Sequence, residues 1–201
     1  MKQSKKILIA NRGVIAIRAL RAARELGYSV ASVYSTIDRD QKHLKLSDEA
    51  ICIGPPETKD SYLNEAAIIS AAELSGADAI YPGFGFLAEN ASFAEKCRES
   101  GFKFIGPDPE VIAIMGDKIK AKELAKSLNI PVVPGYDGEI SAENEAIKIV
   151  EEIGYPVIIK ASAGGGGRGM RVVNSSDELW QSIQSAQNEA ELAFGDGKIF
   201  I

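Results

Sequence analysis

A run of glycines between two apolar segments is the feature that most restricts how this chain can fold. Residues 157–159 are β-branched and predict a strand, and residues 170–173 have the same character. Between these segments lie four consecutive residues without side chains: Gly164, Gly165, Gly166 and Gly167. Each costs up to about 1 kcal/mol of ordering relative to alanine, and a tight hairpin needs only about two turn residues. The surplus of glycines over what a turn needs indicates one of two structures. The first is a loop whose unobstructed backbone N–H groups wrap phosphates, and the second is a simple flexible hairpin tip.

Lys160 favours the phosphate interpretation. It ends the first apolar strand, and period-2 alternation places it on the same face as Ile158. A cation at the inner end of an apolar strand needs an anion as its partner, although its ammonium group can also extend to solvent. A Walker loop is excluded because Met170 and a strand follow the glycines, and a dinucleotide loop would open a helix.

Composition narrows the classes of partner. The net charge of −5 and the pI near 5.1 argue against binding to nucleic acid or to an anionic membrane surface. No apolar run is long enough for a signal-peptide core or a membrane span. Cys52 and Cys97 lack a CxxC neighbour and are interpreted as reduced thiols of a cytoplasmic protein. His43, the single histidine, is predicted to be a surface residue of a helix.

The first part of the chain alternates between strand and helix patterns, which predicts a parallel α/β sheet. The predicted strands are residues 7–10, 30–34, 50–53, 79–81 and 104–105. Ser61 is predicted to cap the helix that ends at Gly76. Residues 82–90, PGFGFLAEN, follow a strand at the sheet edge where open α/β folds bind ligands. A tight turn with two packed core aromatics is the alternative.

The pattern changes after residue 107. Two consecutive helices are predicted at residues 109–115 and 118–128, and an amphipathic helix at residues 142–153. The lysine strand, the glycine loop and the return strand follow. Ser175 and Glu178 predict a capping box for a last helix that ends near residue 194.

Several segments together carry a family resemblance. IANRG, AIYPGFGFLAEN, FIGP, GDK, IPVVPG, IGYPVIIKAS and KASAGGGGRGM resemble the biotin carboxylases of the ATP-grasp superfamily, in the same order and at similar spacing. The resemblance covers residues 6–201. It implies an α/β fold with a Rossmann-like parallel-sheet domain at 1–115. A helical connector at 116–134 and the small α+β lid subdomain of an incomplete ATP grasp at 135–201 would follow.

The resemblance also implies roles for single residues. Lys118, in GDK, and Lys160 would contact ATP phosphates, and Met170 would lie against the adenine. The lid glycines would be Gly164, Gly165, Gly166 and Gly167. The loop containing Gly85 would face the biotin and bicarbonate end. No catalytic residue and no metal ligand is identified within the chain, since the family's Glu-x-Asn-x-Arg stretch that holds Mg²⁺ is expected beyond Ile201.

The implied activity is that of an ATP-dependent ligase. It would carboxylate biotin on a biotin carboxyl carrier protein, using bicarbonate and MgATP. The preferred assignment is the biotin carboxylase subunit of acetyl-CoA carboxylase, in fatty acid biosynthesis, working with a carboxyltransferase component. Pyruvate and propionyl-CoA carboxylases are the alternatives within enzymes. A non-catalytic nucleotide-binding or interaction module is the alternative from another class, and a nicotinamide oxidoreductase is disfavoured by the missing glycine fingerprint. The chain is expected to be about half of a carboxylase subunit, inactive alone.

The first helix carries a charged stripe of Arg18, Arg21 and Glu25. A solvated face is the preferred interpretation, and pairing in the homodimer of the full-length family is the alternative. Departures from the family pattern occur at Val14, Tyr81, Phe84, Ala88 and Ala163. Because some of these departures lie in the PGFGF loop, the resemblance does not specify the polar contacts of that loop.

Overall fold

The protein is described here from a computed structural model. The structure describes residues 5–136, 138, 140, 142–161, 170–195 and 197–201. The predicted lid glycines and Ala163 lie outside these residues. The chain divides into two compact units, Met1–Ala113 and Ile114–Ile201.

The first unit contains five strands and four helices, with a fifth helix at its end. The strands are β1 (Lys6–Ile9), β2 (Ser29–Ser35), β3 (Glu49–Gly54), β4 (Ala79–Tyr81) and β5 (Lys103–Phe104). The helices are α1 (Gly13–Glu25), α2 (Lys42–Leu46), α3 (Glu65–Ser75), α4 (Ala91–Glu99) and α5 (Pro109–Gly116). All strand pairs are parallel, and the order is β3-β2-β1-β4-β5. The predicted Rossmann-like parallel sheet is confirmed.

The two faces of this sheet have separate apolar cores. Successive residues of a strand point to opposite faces, so Leu8 and Ile9 of β1 belong to different clusters. Leu8 packs with Ile68 of α3 and Phe93 of α4, whereas Ile9 packs with Leu20 of α1. Helices on both faces bury the strands of the parallel sheet, as its near-continuous apolar character requires.

The second unit has α+β architecture. Its helices are α6 (Lys118–Ser127), α7 (Glu143–Ile153) and α8 (Ser176–Phe194), and its strands are β6 (Val157–Ala161), β7 (Arg171–Val173) and β8 (Ile199–Phe200). Strand β6 is central and antiparallel to both neighbours. One of its faces, with Val157 and Ile159, packs into a core with residues of α7 and α8.

Two helix starts differ from the prediction. Asn64, not Ser61, caps α3, because its side-chain oxygen accepts from the backbone N–H of Ala67. Ser61 is buried and its hydroxyl donates to the carbonyl oxygen of Glu57. Ser175 does occupy the cap position of α8, but its side chain makes no capping bond, so the predicted capping box does not form. Glu178 instead accepts from the backbone N–H of Asn174. The predicted helix end at Gly76 is correct, since Gly76 adopts φ = 62°.

His43 contradicts the prediction of a surface residue. It lies in α2 and is fully buried. Its Nε2 atom is 3.4 Å from the carbonyl oxygen of Val33, and its Nδ1 atom has no partner within the described part of the chain. The prediction failed because α2 packs against β2, a contact that a five-residue helix does not reveal by its own periodicity.

Candidate functional site

The lysine strand has one buried and one outward face. Lys160 shares a face with Ile158, as predicted, but that face is turned away from the core: the side chain of Ile158 is 44% exposed and Lys160 is half-buried. The argument that burial of Lys160 requires an anion is therefore weakened, since Lys160 lies on the outward face. Its half-buried position is compatible with extension of the ammonium group to solvent, the alternative that the sequence left open.

Lys118 lies beside the end of the same strand. Asp117 caps α6, since its carboxylate accepts from the backbone N–H groups of Ile119 and Lys120. The cap starts the helix at Lys118, whose Nζ atom is 3.4 Å from the carbonyl oxygen of Ala161. Lys118, far from β6 in sequence, thus reaches the backbone of the residue that follows Lys160. Met170, directly before the return strand β7, is 49% exposed.

The end of the chain closes this unit against the segment before α7. The backbone groups of Tyr136 and Ile201 exchange two hydrogen bonds, of 2.8 and 3.0 Å. A Cβ atom at Gly135 would lie 2.3 Å from the carbonyl oxygen of Ile201, so only glycine fits there. A close backbone contact therefore explains the glycine at the end of the IPVVPG segment.

The loop that contains Gly85 follows β4 at the carboxyl edge of the parallel sheet. Its backbone enters the left-handed region at Gly83 (φ = 74°), Gly85 (φ = 71°) and Phe86 (φ = 43°). Phe86 packs on the core, stacked on Tyr62 at a centroid distance of 4.8 Å. Phe84 is 76% exposed, so the alternative of two core aromatics is half correct. Gly85 and Phe84 form the outward rim of the loop.

The turn after β1 supports this loop. The buried side-chain amide of Asn11 donates from Nδ2 to the carbonyl oxygens of Pro82 (2.8 Å) and Phe84 (2.9 Å). A Cβ atom at Gly83 would lie 2.8 Å from that same Nδ2 atom, so glycine is required for the approach. The IANRG and PGFGF segments are thus two halves of one structure.

A buried carboxylate lies next to this structure. Asp38, only 4% exposed, follows β2, and its Oδ2 atom accepts hydrogen bonds from Tyr62 (2.7 Å), Ser35 (2.9 Å) and Arg12 (3.1 Å). Burial alone raises the pKa of this carboxyl, but these hydrogen bonds and the charge of Arg12 outweigh it and hold the pKa below its ordinary value. Burial, and then the bond to Asp38, raises the pKa of the Tyr62 hydroxyl.

Sequence reasoning missed this cluster of Asn11, Arg12, Asp38 and Tyr62. One signal was available, because Asn11 and Asp38 follow neighbouring strands, whose carboxyl ends meet at one edge of a parallel sheet. Tyr62 gave no local signal.

No metal site forms among the residues that the structure describes, in which no three histidine, cysteine, aspartate or glutamate side chains converge. None of the described helices is both long and apolar enough to cross a membrane.

Together these features define an α/β protein in which a parallel-sheet unit precedes an α+β unit. Residues 3–112 match the sequence model of the biotin carboxylase N-terminal domain, and residues 117–201 match that of the carbamoyl-phosphate synthase L chain ATP binding domain. The chain belongs to the family of biotin carboxylase N-terminal domains.

Individual relatives agree with this assignment. The chain is 55% identical over 199 residues to a biotin carboxylase of Haemophilus influenzae, covering 98% of this chain and 44% of the relative. A crystal structure of a Campylobacter jejuni biotin carboxylase in complex with β,γ-ATP is similar, with a TM-score of 0.90, 52% identity, and coverage of 98% of this chain and 44% of the other.

A second solved structure is the biotin carboxylase domain dimer of Hydrogenobacter thermophilus 2-oxoglutarate carboxylase, in complex with MgADP, ADP and bicarbonate. It has a TM-score of 0.86 and 48% identity, over 100% of this chain and 44% of the other. The chain thus spans less than half the length of each of these relatives.

Proposed function

We propose that this chain is the N-terminal part of an ATP-dependent biotin carboxylase. Its full-length protein would use bicarbonate and MgATP to carboxylate biotin on a biotin carboxyl carrier protein. The observation that carries the proposal is the approach of Lys118 to the strand end that bears Lys160, at 3.4 Å from the Ala161 carbonyl oxygen. Two cations at the edge of the predicted glycine lid suit a phosphate chain.

Each part of the second unit has a role in this proposal. Lys118 and Lys160 attract the phosphates, Met170 lies against the adenine, and Gly164, Gly165, Gly166 and Gly167 cover the nucleotide. Residues 116–134 form the connector and residues 135–201 the lid subdomain. The Mg²⁺ ligands would lie beyond Ile201, in the Glu-x-Asn-x-Arg stretch that the resemblance implies.

The preferred parent enzyme is acetyl-CoA carboxylase, in the cytoplasm, with a carboxyltransferase as the next component. Pyruvate and propionyl-CoA carboxylases remain the alternatives, because the biotin carboxylase part does not contact the final acceptor. The similarity to the biotin carboxylase domain of a 2-oxoglutarate carboxylase supports keeping several parent enzymes as alternatives. Purifying the native complex and assaying its carboxylation of acetyl-CoA, propionyl-CoA and pyruvate separates these enzymes.

The test of nucleotide binding is Lys160→Gln in the full-length protein. A charge-assisted hydrogen bond contributes roughly 1.5–3 kcal/mol, and each 1.4 kcal/mol is about tenfold in affinity, so ATP should bind about ten- to a hundredfold more weakly. Lys148→Gln, on the exposed side of α7, is the matched control and should change nothing. Calorimetry that gives Lys160→Gln an ATP affinity within about twofold of wild type would contradict the assignment of this lysine.

Catalysis separates the enzyme from a non-catalytic nucleotide-binding module. The full-length protein should release phosphate from ATP only when bicarbonate is present, and the 201-residue chain alone should not. Activity of the short chain would mean that the metal-binding residues lie within it. Absence of activity in the full-length protein would favour the module.

Assembly as a homodimer is part of the same proposal. Arg18, Arg21 and Glu25 are exposed on α1, as predicted for a solvated face and as a subunit contact also requires. Sedimentation of full-length Arg21→Glu, with Arg39→Glu as an exposed control on another element, distinguishes the two. An unchanged dimer in Arg21→Glu rejects the contact.

A further inference from the structure

The loop of residues 82–86 is held from a second direction, by a cation. The Arg12 guanidinium lies over the ring of Phe86, with its central carbon 5.5 Å from the ring centroid, and over the ring of Tyr62 at 5.2 Å. The two rings are stacked nearly parallel, at 9°. The planar guanidinium therefore fixes the aromatic residue that immediately follows Gly85.

Asp38 determines where this guanidinium lies. The Nη1 atom of Arg12 is 3.1 Å from the Oδ2 atom of Asp38. The carboxylate is itself immobilised by the hydroxyls of Ser35 and Tyr62 and by the side-chain amide of Gln41. Asp38 thus acts on the loop only through Arg12 and Tyr62.

Phe86 has a backbone conformation that a bulky residue rarely adopts, with φ = 43°. Such conformations persist where surrounding contacts enforce them, and they concentrate at binding sites. Here the enforcing contacts are the stack on Tyr62 and the cation of Arg12. The neighbouring Phe84 and Gly85 are presented outward as a result.

Stability alone does not account for this arrangement. The Arg12 side chain is 37% exposed although that of Asp38 is only 6% exposed, and ion pairs that solvent reaches contribute only about 0–1 kcal/mol. An apolar side chain at position 12 could cover the rings of Tyr62 and Phe86 equally well. The ion pair with Asp38 also fixes the orientation of the Arg12 guanidinium group, which an apolar contact would not do.

We propose that Arg12, oriented by Asp38, is a positioning residue that holds the Phe84–Gly85 rim in the geometry that binds biotin. This inference rests on the proposed function for its substrate, and on the family resemblance for the position of biotin at the loop that contains Gly85. The contacts that carry it are independent of that function. The nucleotide lysines lie in the other unit and have no part in it.

The test uses the full-length protein with Arg12→Lys, which keeps the charge but loses the planar fork, and with Asp38→Asn. The matched controls are Arg24→Lys and Asp48→Asn, a more exposed ion pair of the same 3.1 Å length in the same unit. Free biotin is the acceptor. Both test variants should raise the KM for biotin about tenfold, leave ATP affinity within about twofold, and speed hydrogen exchange at residues 83–88. The controls should change none of these.

The outcomes are separable. Arg12→Lys with wild-type biotin KM and wild-type exchange at residues 83–88 overturns the proposal, as does an equal loss of ATP affinity, which indicates general damage. If the Asp38→Asn variant does not fold, the result for Arg12→Lys alone decides whether Arg12 is a positioning residue. If wild type carboxylates no biotin, the proposed function fails, and the exchange of the loop amides still decides whether Arg12 positions the loop.

Discussion

The side-chain amide of Asn11 meets the carbonyl oxygen of Phe84 at 2.9 Å, and the same nitrogen meets Pro82 at 2.8 Å. Asn11→Ala removes both bonds and leaves the buried carbonyl oxygen of Pro82 without this donor. We expect the free energy of unfolding to fall by about 2 kcal/mol in urea denaturation. The exposed Asn174→Ala should change it by less than about 0.5 kcal/mol. Equal stability of the two variants would show that Asn11 does not hold the loop.

Two glycines of this loop form a matched pair. Both have positive φ, but a Cβ atom at Gly83 would lie 2.8 Å from Asn11 Nδ2 and from Ile15 Cγ2, whereas nothing lies within 4 Å at Gly85. The two alanine variants share the backbone strain, so Gly83→Ala should be less stable than Gly85→Ala by about 1–3 kcal/mol, the cost of overpacking. Thermal denaturation of both variants measures this difference. Identical melting temperatures would mean that Asn11 and Ile15 yield without cost.

Much of the first unit is predictable because its signals are local. The end of α3 at Gly76 and the strand at residues 79–81 each depend on a few adjacent residues. The burial of His43 and the outward face of β6 at Lys160 were not predicted, because burial depends on what packs against an element.

The candidate site divides in the same way. Lys118 and Lys160 were named from motifs, and the structure places Lys118 at the end of the strand that carries Lys160. The link from Asp38 through Arg12 to Phe86 could not be predicted, since it joins residues after three different strands. Only the sheet order brings β1 between β2 and β4.

Acid should destabilise the protein through His43. Burial lowers the pKa of this imidazole, only partly opposed by the Val33 carbonyl and the charge of Asp38. The unfolded chain therefore takes up a proton near the ordinary pKa of about 6.5, while the folded chain resists it. The contribution of His43 to the free energy of unfolding is therefore fully present above that pH. It is lost as pH decreases, by up to about 1 kcal/mol between pH 7 and pH 5.5.

His43→Leu supplies the control, because it removes the protein's single histidine. Urea denaturation at several pH values should give a sloping stability for wild type and a flat one for His43→Leu across this window. A wild-type profile that is equally flat would show that the buried imidazole accepts a proton without cost.

The two cysteines should differ in reactivity. Cys97 is buried, and burial together with the charge of Glu65 raises its thiol pKa to about 12. Cys52 is exposed. Because the thiolate is the nucleophile, iodoacetamide at pH 8 should label Cys52 in the native protein and Cys97 only after unfolding. Mass spectrometry of Cys52→Ser, treated in parallel, measures Cys97 alone. Rapid native labelling of that variant would contradict the burial of Cys97.

The central place of β1 in the sheet has a consequence for synthesis on the ribosome. Ile7 of β1 pairs with Ala79 of β4, which is added to the growing chain 72 residues later. At roughly 5–20 residues per second, the nascent chain presents the β4 side of β1 without its native neighbour for about 4 to 14 s. Slower translation between the codons for these two strands would lengthen that interval and increase the dependence of the growing chain on chaperones.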